Sequence, residues 1–409
     1  QYGWQTMKHF NLQKPKKWKH FDIQEPAPGV RVSLKLYGGR MHSQKLQDLP
    51  IDPGTILSKE QMGTIKQYCL NDLNTNIDLF EKIEQRMQLR VDMSQDYNQD
   101  LMSKSDAQIA EAVIKSELQT EGMYVSVPQV EAETTFLYSP PGYIQFKHPD
   151  CQHALELIKG HSFGLNQKGS VELPKEVKNL RIELGLSTYQ LGIGGLHSKE
   201  KKQTLKPPPG WLLIDKDVTS YYPAIILTLG LYPRHLGHKF LSVYKSIVDT
   251  RLAAKNSGKK VINESLKIVI NGSFGKLGNK YSILYSPDLM TQVTLTGQLS
   301  LLMLIERLEL SGLRIMSANT DGFVAMIKEE HYEIYEQICF DWELDTQFEL
   351  EETRYKALYS RDVNNYLAIK IDNETKGKGV FSQLPLQKNP QAAICVEAVE
   401  KLLTENSPI

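Results

Sequence analysis

The sequence predicts an α+β fold, in which long helices pack against an antiparallel sheet. Residues 313–327 read as two apolar strands around a tight Asn-Thr-Asp-Gly turn, which is typical of a β-hairpin. Three further strands are predicted in QFELE, YKALY and NYLAIKI, between residues 347 and 371. Helical spacing is clearest over 287–310, where one face is apolar along the whole segment. Consecutive hairpins beside long helices are typical of this class.

The composition is that of an ordinary globular chain. The 409 residues are enough for about two to four domains, and 41% of them are hydrophobic and 23% charged. The formal net charge is zero, so any contact with nucleic acid must come from local clusters. The four cysteines are far apart, which favours a reducing compartment and argues against a zinc site. Without an apolar run of about 18 residues or a signal-peptide core, we expect an intracellular protein that does not contact a membrane.

The N-terminal part is predicted to be mainly helical. Residues 1–20 mix lysines with aromatic rings, which fits either a nucleic-acid contact or a solvated terminus. Residues 30–39 alternate like a strand, but they also fit a helix ended by its two glycines. A capping box at Ser58 and Gln61 opens one bent helix or two helices that reach about residue 90.

The next part is predicted to begin with a helix at 103–118 and to continue into strands. A Pro-Pro-Gly turn stands between two runs of β-branched and aromatic residues, which predicts a hairpin over 134–146. The segment 189–198 is rich in glycine and is followed by three lysines, so a phosphate backbone could approach it closely. A plain flexible linker fits this segment as well.

The central feature is the segment 211–226, where an apolar strand leads two carboxylates into an aromatic turn. The residues before Asp215 and Asp217 are bulky and continuous enough for a buried strand. Charges at the end of such a strand are costly without a partner, and a divalent cation is the natural partner. The segment therefore predicts a phosphate site, with a capped turn at the end of a buried strand as the alternative.

Two helices predicted after this strand each present a polar pair. Arg251 and Lys255 lie one turn apart on the first helix, and Lys267 and Asn271 lie one turn apart on the second. Three cations and an amide that face one another would suit a triphosphate, with arginine as a planar fork and the lysines as point charges. A solvated helix face is the alternative for either pair alone.

The segment Asp-Val-Thr-Ser-Tyr-Tyr-Pro resembles the first palm motif of family B DNA polymerases, with Asp217 rather than Asp215 at the matched position. The turn at 319–322 resembles the third palm motif, although Asn replaces its first Asp and Gly replaces its Ser. The resemblance implies that Asp217 and Asp321 hold two Mg²⁺ ions, with Mn²⁺ as an alternative. It also implies that the carbonyl of Val218 completes a metal shell.

Other segments resemble further motifs of the same family. The sequence LKIVINGSFG resembles the fingers motif Lys-x-x-x-Asn-Ser-x-Tyr-Gly, with Gly272 and Phe274 in place of its Ser and Tyr. The segment that begins at Tyr189 resembles a Tyr-x-Gly-Gly segment that contacts the template strand. VNNYLAI resembles the primer-holding Lys-Lys-Arg-Tyr segment, but Asn364 and Asn365 replace cations there.

Tyr68 and Asp72 lie one helical turn apart and resemble the third motif of the 3′→5′ exonuclease domain of this family. The other exonuclease motifs have no convincing match, since Asp22 and Glu25 have the wrong spacing. We therefore interpret the pair as an exonuclease remnant, with surface decoration as the alternative.

The motifs occur in the family's order, from about residue 60 to residue 395. The resemblance implies a right-hand polymerase with an antiparallel palm sheet, short helical fingers, a truncated exonuclease-like N-terminal part and an incomplete thumb. The expected parts are an exonuclease-like remnant at 1–102, a connecting region at 103–178, palm at 179–235 and 284–385, fingers at 236–283 and the start of a thumb at 386–409.

The function implied is DNA-directed DNA synthesis of the phage type. Its partners would be primer–template DNA, deoxynucleoside triphosphates and other replication proteins, in the cytoplasm of a bacterial host if a phage encodes the chain. The implied nucleotide-binding residues are Ser220, Tyr221, Tyr222, Arg251, Lys255, Lys267 and Asn271. The implied DNA-binding residues are Tyr189, Gly194, Gly195, Phe274, Gly275, Thr320 and Tyr366. A nucleic-acid-binding protein without the chemistry and a stand-alone exonuclease are the alternatives.

Overall fold

The computed structural model describes residues 21–29, 32–131, 134–382, 386–387, 389, 392–405 and 407. The predicted basic and aromatic contact at residues 1–20 lies outside the described residues. The chain divides into two compact units, Gln1–Ser105 and Asp106–Ile409. Each unit is described by itself.

The first unit contains the helices α1 (Leu34–Met41), α2 (Lys59–Lys82) and α3 (Glu84–Asp96). The capping box is confirmed, because the Gln61 N–H donates to the Ser58 hydroxyl and the Ser58 N–H donates to the Gln61 side chain. The ambiguous segment before it forms α1 and not a strand. Gly38 lies inside α1, where a Cβ would come within 2.9 Å of Leu46 and 3.0 Å of Thr75. Close packing, not a helix end, therefore accounts for this glycine.

The strands of the second unit form one large sheet and one small pair. The small pair joins β1 (Thr135–Leu137) to β2 (Ser162–Gly164). The strands of the large sheet are β3 (Ile182–Leu184), β4 (Ser187–Leu191), β5 (Leu196–Lys199), β6 (Gln203–Leu205), β7 (Trp211–Val218), β8 (Arg314–Asn319), β9 (Gly322–Lys328), β10 (Leu350–Asp362), β11 (Asn365–Lys370) and β12 (Thr375–Lys378).

All pairings in the described part of the large sheet are antiparallel. The strand order is β12-β11-β10-β7-β9-β8-β5-β4-β3, and β6 pairs with β10. The predicted central strand β7 thus lies between β9 and β10. The hairpin predicted at 313–327 is confirmed as β8 and β9. Of the two strands predicted in QFELE and YKALY, the last two residues of the first and all of the second belong to the single long strand β10.

The helices predicted at 103–118 and 287–310 in the second unit are confirmed, and their ends agree to within three residues. With the antiparallel sheet, the helices of this unit make the fold class α+β. They are α4 (Asp106–Thr120), α5 (Pro149–Gly160), α6 (Lys175–Asn179), α7 (Tyr221–Thr228), α8 (Lys239–Asn256), α9 (Lys260–Lys276), α10 (Pro287–Leu310), α11 (Tyr332–Thr346) and α12 (Ala393–Glu405). None of the helices formed by the described residues is both long and apolar enough to cross a lipid bilayer.

Helix α10 forms the centre of the core, and most of its residues are buried. The polar groups on it have partners, as burial requires. The side chain of Glu306 accepts from the backbone N–H groups of Lys147 and His148, at 2.9 and 2.7 Å. The indole N–H of Trp342, on α11, donates to the Ser300 carbonyl at 2.8 Å. These bonds join α10 to the segment that precedes α5 and to α11.

The hairpin predicted over 134–146 is wrong. Residues 135–137 pair with β2 instead, and residues 143–148, directly after the Pro-Pro-Gly turn, form no strand. The aromatic residues that gave the strand-like pattern contact α10. The hydroxyl of Tyr138 lies 3.1 Å from Thr296 Oγ1, and that of Tyr143 lies 3.1 Å from Ser300 Oγ. Aromatic burial against a helix, not strand pairing, explains the pattern.

Candidate active site

Strand register brings the two predicted acids together. Asp217 is opposite Gly322 on β9, and on its other side it is opposite Glu351 on β10. The N–H of Val218 donates to the Asp321 carbonyl oxygen at 2.7 Å, so the two acid-bearing turns are joined by their backbones. The end of the central strand and the tip of the β8–β9 hairpin therefore form one site.

Both turns at this site contain a residue with a left-handed backbone that is not glycine. Ser220 has φ +48° and Thr320 has φ +63°. Such conformations cost free energy and are found where the surrounding structure enforces them. The N–H of Thr320 donates to the Leu196 carbonyl at 2.7 Å, and a Cβ on Gly195 would lie 2.8 Å from the Thr320 Cα. The hairpin tip is thus pressed against the glycine-rich loop.

That loop is held in place. The side chain of Gln298, on α10, accepts from the Gly192 N–H at 2.8 Å and donates to the Gly192 carbonyl at 3.0 Å. The Gly192 N–H also reaches the Gly195 carbonyl at 3.1 Å. These contacts favour an ordered loop over the flexible linker that was the alternative interpretation of this segment.

Asp215 and Asp217 share a lysine. The ammonium of Lys376, on β12, lies 2.8 Å from Asp215 Oδ2 and 3.3 Å from Asp217 Oδ2. The hydroxyl of Tyr355 donates to the same Asp215 oxygen. The Asp215 side chain is 8% exposed, whereas that of Asp217 is 46% exposed. Asp215 is therefore an interior acid with two fixed partners, and Asp217 is the acid that solvent or a ligand can reach.

The charges of this cluster shift one another's pKa values. Partial burial and the neighbouring Asp215 raise the pKa of Asp217, and Lys376 opposes that rise. Burial also raises the pKa of Asp321. Burial alone would lower the pKa of Lys376, but its neighbours Asp215, Tyr355 and Asp217 together more than offset this effect and raise the pKa above its usual range. Burial lowers the pKa of Lys378. Shifts of this kind are common at functional sites.

The acids line a cavity of about 330 Å³. The polar side chains on its wall are Asp215, Asp217, Asn319, Asp321, Ser317, Ser360, Tyr355, Tyr366, Lys376 and Lys378. Among the described residues, no three or more His, Cys, Asp or Glu side chains are grouped so that they could hold a metal ion by themselves. A cation could instead be held by Asp217 and Asp321 with backbone and substrate oxygens. The Lys376 ammonium, 3.3 Å from Asp217 Oδ2, shows that a positive charge is accommodated beside this carboxylate.

Tyr222 stacks on Phe274 beside the acids. Their ring centroids are 4.1 Å apart with an interplanar angle of 18°. The Tyr222 hydroxyl donates to the Gly194 carbonyl, and burial raises its pKa to about 12. Tyr221 turns the other way into the core, where its hydroxyl donates to the Gly297 carbonyl at 2.5 Å. Tyr222 thus contacts the glycine-rich loop and Phe274, whereas Tyr221 belongs to the core.

One of the two polar helix pairs reaches the site. Arg251, on α8, donates to Ser220 Oγ at 3.1 Å, and the Lys255 ammonium lies 3.4 Å from Glu351 Oε1. Lys267 and Asn271 are exposed on α9, and no hydrogen bond or ion pair of the described residues joins them to the acids. The structure therefore brings Arg251 and Lys255 to the acids and leaves the second pair on an open helix face.

The predicted DNA-binding residues differ in their exposure. Gly275 is exposed on α9, and Tyr366 lines the cavity. Tyr189 is fully buried in β4, so the predicted contact of its side chain with DNA does not fit this structure. The Asn319 side chain donates to the Val363 carbonyl at 2.7 Å, which gives it a structural role in place of a metal ligand.

In the first unit, Tyr68 and Asp72 lie one turn apart on α2, as predicted. Partial burial and the charge of Asp72 raise the pKa of Tyr68. Asn76, one turn further, donates to the Asp72 backbone carbonyl at 2.9 Å. The pair has neighbours on its own helix, but the described residues of this unit do not gather a metal-binding cluster around it.

Sequence reasoning missed the Asp215, Tyr355 and Lys376 contacts. Two signals were available. Asp215 and Asp217 are two residues apart on a strand, so they share a face, and the same is true of Lys376 and Lys378. Nothing in the sequence shows that these two faces meet.

No protein-family model matches the sequence, and no curated protein matches it. Among solved structures, the chain is similar to the family B DNA polymerase from the hyperthermophilic archaeon Pyrobaculum calidifontis, with 16% identity and a TM-score of 0.41. The similarity covers 87% of this chain and 44% of that chain, so this chain spans less than half of that polymerase. At this TM-score the likeness assigns neither a fold family nor an activity.

Proposed function

We propose that this chain is a template-directed DNA polymerase of family B type, which adds deoxynucleotides to a primer 3′-hydroxyl in phage-type replication. The observation that carries the proposal is the meeting of Asp217 and Asp321 at joined turns, where the Val218 N–H donates to the Asp321 carbonyl. Acids far apart in sequence converge there, in a cavity that also receives two lysines.

Asp217 and Asp321 would hold the metal ions, and the Val218 carbonyl would add a ligand. When bound, two Mg²⁺ ions, or Mn²⁺ in their place, would activate the primer hydroxyl and neutralise charge on the leaving pyrophosphate. The exposed side of Asp217 leaves a path for such a cation. Two acids are few for two ions, so substrate phosphate oxygens would complete the coordination.

The chain's cations would bind the triphosphate. The guanidinium of Arg251 is held beside the acid turn by Ser220, which leaves its other N–H groups for phosphate oxygens. Backbone N–H groups at Ser220 and Tyr221 would add donors. Lys255, now against Glu351, would join them, and Lys267 and Asn271 would do so if α9 closes over the substrate.

Tyr222 would lie beneath the sugar of the incoming nucleotide, with Phe274 as its support. The primer–template would contact the surface that surrounds the cavity. Gly194 and Gly195 allow close approach of the template backbone next to Thr320. Gly275, Phe274 and Tyr366 would contact the DNA near the primer end.

A primer-extension assay tests the proposal. The purified chain should extend a labelled primer on a DNA template with deoxynucleotides and Mg²⁺, and EDTA should stop it. Asp321→Asn should abolish extension and leave primer–template binding largely intact, because it removes a metal ligand but no phosphate-binding cation. Asp249→Asn is the matched control, since Asp249 pairs with Lys245 on the exposed face of α8. Extension by Asp321→Asn at the unaltered rate would refute the assignment.

One observation favours a second candidate, a DNA-binding protein without the chemistry. Asn319 stands where the motif has an acid, and its amide is bonded to the Val363 carbonyl. In that case the chain would bind primer–template and incorporate no nucleotide with either Mg²⁺ or Mn²⁺. The extension assay separates the two.

A further inference from the structure

We propose that Lys376 is a built-in counter-ion of the acid cluster, which neutralises Asp217 until a divalent cation displaces it and then remains on Asp215. This inference rests on the proposed function, since it concerns the acid that would hold the metal. It assigns a positioning role to three residues outside the motifs: Asp215, Tyr355 and Lys376.

The first step is the unequal grip of the lysine on its two acids. Its ammonium lies 2.8 Å from Asp215 and 3.3 Å from Asp217. Asp215 is nearly buried and also accepts from the Tyr355 hydroxyl. An ionised carboxylate in such a position is strongly destabilised without a charged partner. The Asp215 contact is therefore the fixed one, and the longer contact to the half-exposed Asp217 is the exchangeable one.

The second step is the direction of β12. Lys376 and Lys378 share one face of this strand, and both line the acid cavity. A Cβ on Gly377, which stands between them, would collide with the Phe381 backbone, so only glycine fits there. Both ammonium groups therefore face the acids.

The third step is the count of charges. Asp215, Asp217 and Lys376 together carry a net charge of −1. If a divalent cation binds Asp217, Asp215 still has its lysine and is not left unpaired. Without Lys376 the two acids would repel each other and would attract a divalent cation more strongly. Without the Asp215 charge, Lys376 would be left to Asp217 and would compete better with the metal.

These charges predict an order of Mg²⁺ affinities for the DNA-free chain, measured by isothermal titration calorimetry. Lys376→Met should lower the half-saturating Mg²⁺ concentration by about tenfold, and Asp215→Asn should raise it by about tenfold, as screened unit charges a few ångströms away would do. The double variant restores the net charge of −1 and should return to within about twofold of the unaltered protein. Lys370→Met, on the neighbouring strand with Glu374 as its partner, is the control and should change nothing.

Thermal unfolding in EDTA and in Mg²⁺ gives an independent readout. Lys376→Met should unfold at a lower temperature than the unaltered chain in EDTA. The addition of Mg²⁺ should raise the unfolding temperature of this variant more than that of the unaltered chain. Lys376→Arg should keep the unaltered Mg²⁺ dependence, since it keeps the charge. A merely structural lysine would lower the unfolding temperature equally in both buffers, and that result would overturn the inference.

Two further outcomes are decisive. If Lys376→Met weakens primer–template binding and leaves the Mg²⁺ titration unchanged, Lys376 is a phosphate contact and the inference is wrong. If the unaltered chain shows no Mg²⁺ binding that Asp217→Asn removes, no cation displaces the lysine in the DNA-free chain and the inference is wrong. Either result leaves the proposed function to the primer-extension assay, because substrate oxygens are needed there to complete the metal coordination.

Discussion

Asp217 in the second unit and Asp72 in the first both stand in motif-like sequences, but their surroundings differ. Asp217 contacts Lys376 and is joined by backbone to the Asp321 turn, so its neighbours come from distant segments. Asp72 has neighbours one turn away on its own helix, such as Tyr68. Spacing along one helix fixes only a local pair, whereas strand register brings distant charges together. A short motif by itself is therefore weak evidence for a functional site. The evidence is stronger where strand pairing places charged groups from distant segments next to the motif.

The largest expected effect separates these two acids directly. Asp217→Asn should reduce Mg²⁺-dependent primer extension by at least about a thousandfold, because a neutral amide replaces a metal ligand. Asp72→Asn should leave extension within about twofold, because Asp72 is not among the residues that line the acid cavity. Single-turnover extension with both variants measures the difference, and similar losses would break the comparison.

The same variants test for proofreading. We expect no Mg²⁺-dependent 3′→5′ degradation of a mismatched primer by this chain, because one carboxylate cannot hold two metal ions against charged phosphates. Degradation that disappears in Asp72→Asn would show that Asp72 belongs to a working site, with acids such as Asp22 or Glu25 to complete it.

Gly322→Ala should damage the site through packing and not through charge. A Cβ at this position would meet the Asp217 carboxylate and come within 2.6 Å of the Lys216 carbonyl. We expect a loss of about 1–3 kcal/mol in the free energy of unfolding, together with a fall in extension as Asp217 is displaced. Gly142→Ala is the control, since nothing lies within 4 Å of its Cβ position. Chemical denaturation and extension assays check both, and equal behaviour of the two variants would contradict the packing argument.

Tyr222→Ala should change sugar selection. A ring beneath the sugar leaves no room for a 2′-hydroxyl, and Phe274 and Gly194 hold this ring in place. We expect the ratio of ribonucleotide to deoxyribonucleotide incorporation to rise by about tenfold or more, as steric discrimination of this kind allows. Competition assays with both nucleotides measure the ratio, and Tyr222→Phe should keep it low. An unchanged ratio in Tyr222→Ala would show that another residue excludes ribonucleotides.

The last prediction concerns stability alone, at a departure from the fingers motif. Gly272 stands where the motif has Ser, and a Cβ there would lie 2.8 Å from the Ala110 Cβ on α4. Gly272→Ser should therefore lower the free energy of unfolding by about 1–3 kcal/mol, although it restores the motif. Denaturation with and without a compensating Ala110→Gly change measures this, and a stability gain from Gly272→Ser alone would refute the packing explanation.

Local chemistry made much of the fold predictable. The Asn-Thr-Asp-Gly turn specified the β8–β9 hairpin, and the capping box at Ser58 marked the start of α2. The acids at the end of β7 and at the hairpin tip could be predicted for the same reason, since each lies within a short motif. The hairpin expected at 134–146 failed because aromatic residues fit a helix surface as well as a strand.

The rest of the site depends on long-range pairing. The residues around Asp215 do not indicate that its partner is Lys376, far along the chain on β12. The residues around Tyr189 do not indicate that its side chain is buried. Such facts follow from which strands become neighbours, and a single sequence does not contain that information in its local periodicity.

In the described sheet, β12 is an edge strand that pairs with β11 on one side. An edge strand separates from its sheet by breaking a single ladder of hydrogen bonds, so it opens at a lower free-energy cost than the central strands do. Asp215 and Asp217 lie on the central strand β7, but the lysine that pairs with them lies on the edge strand β12. Fraying of a few residues would thus leave the acids without their lysine while the core stays folded. Amide exchange along 375–378 would then report how often the cavity passes through a more negative state.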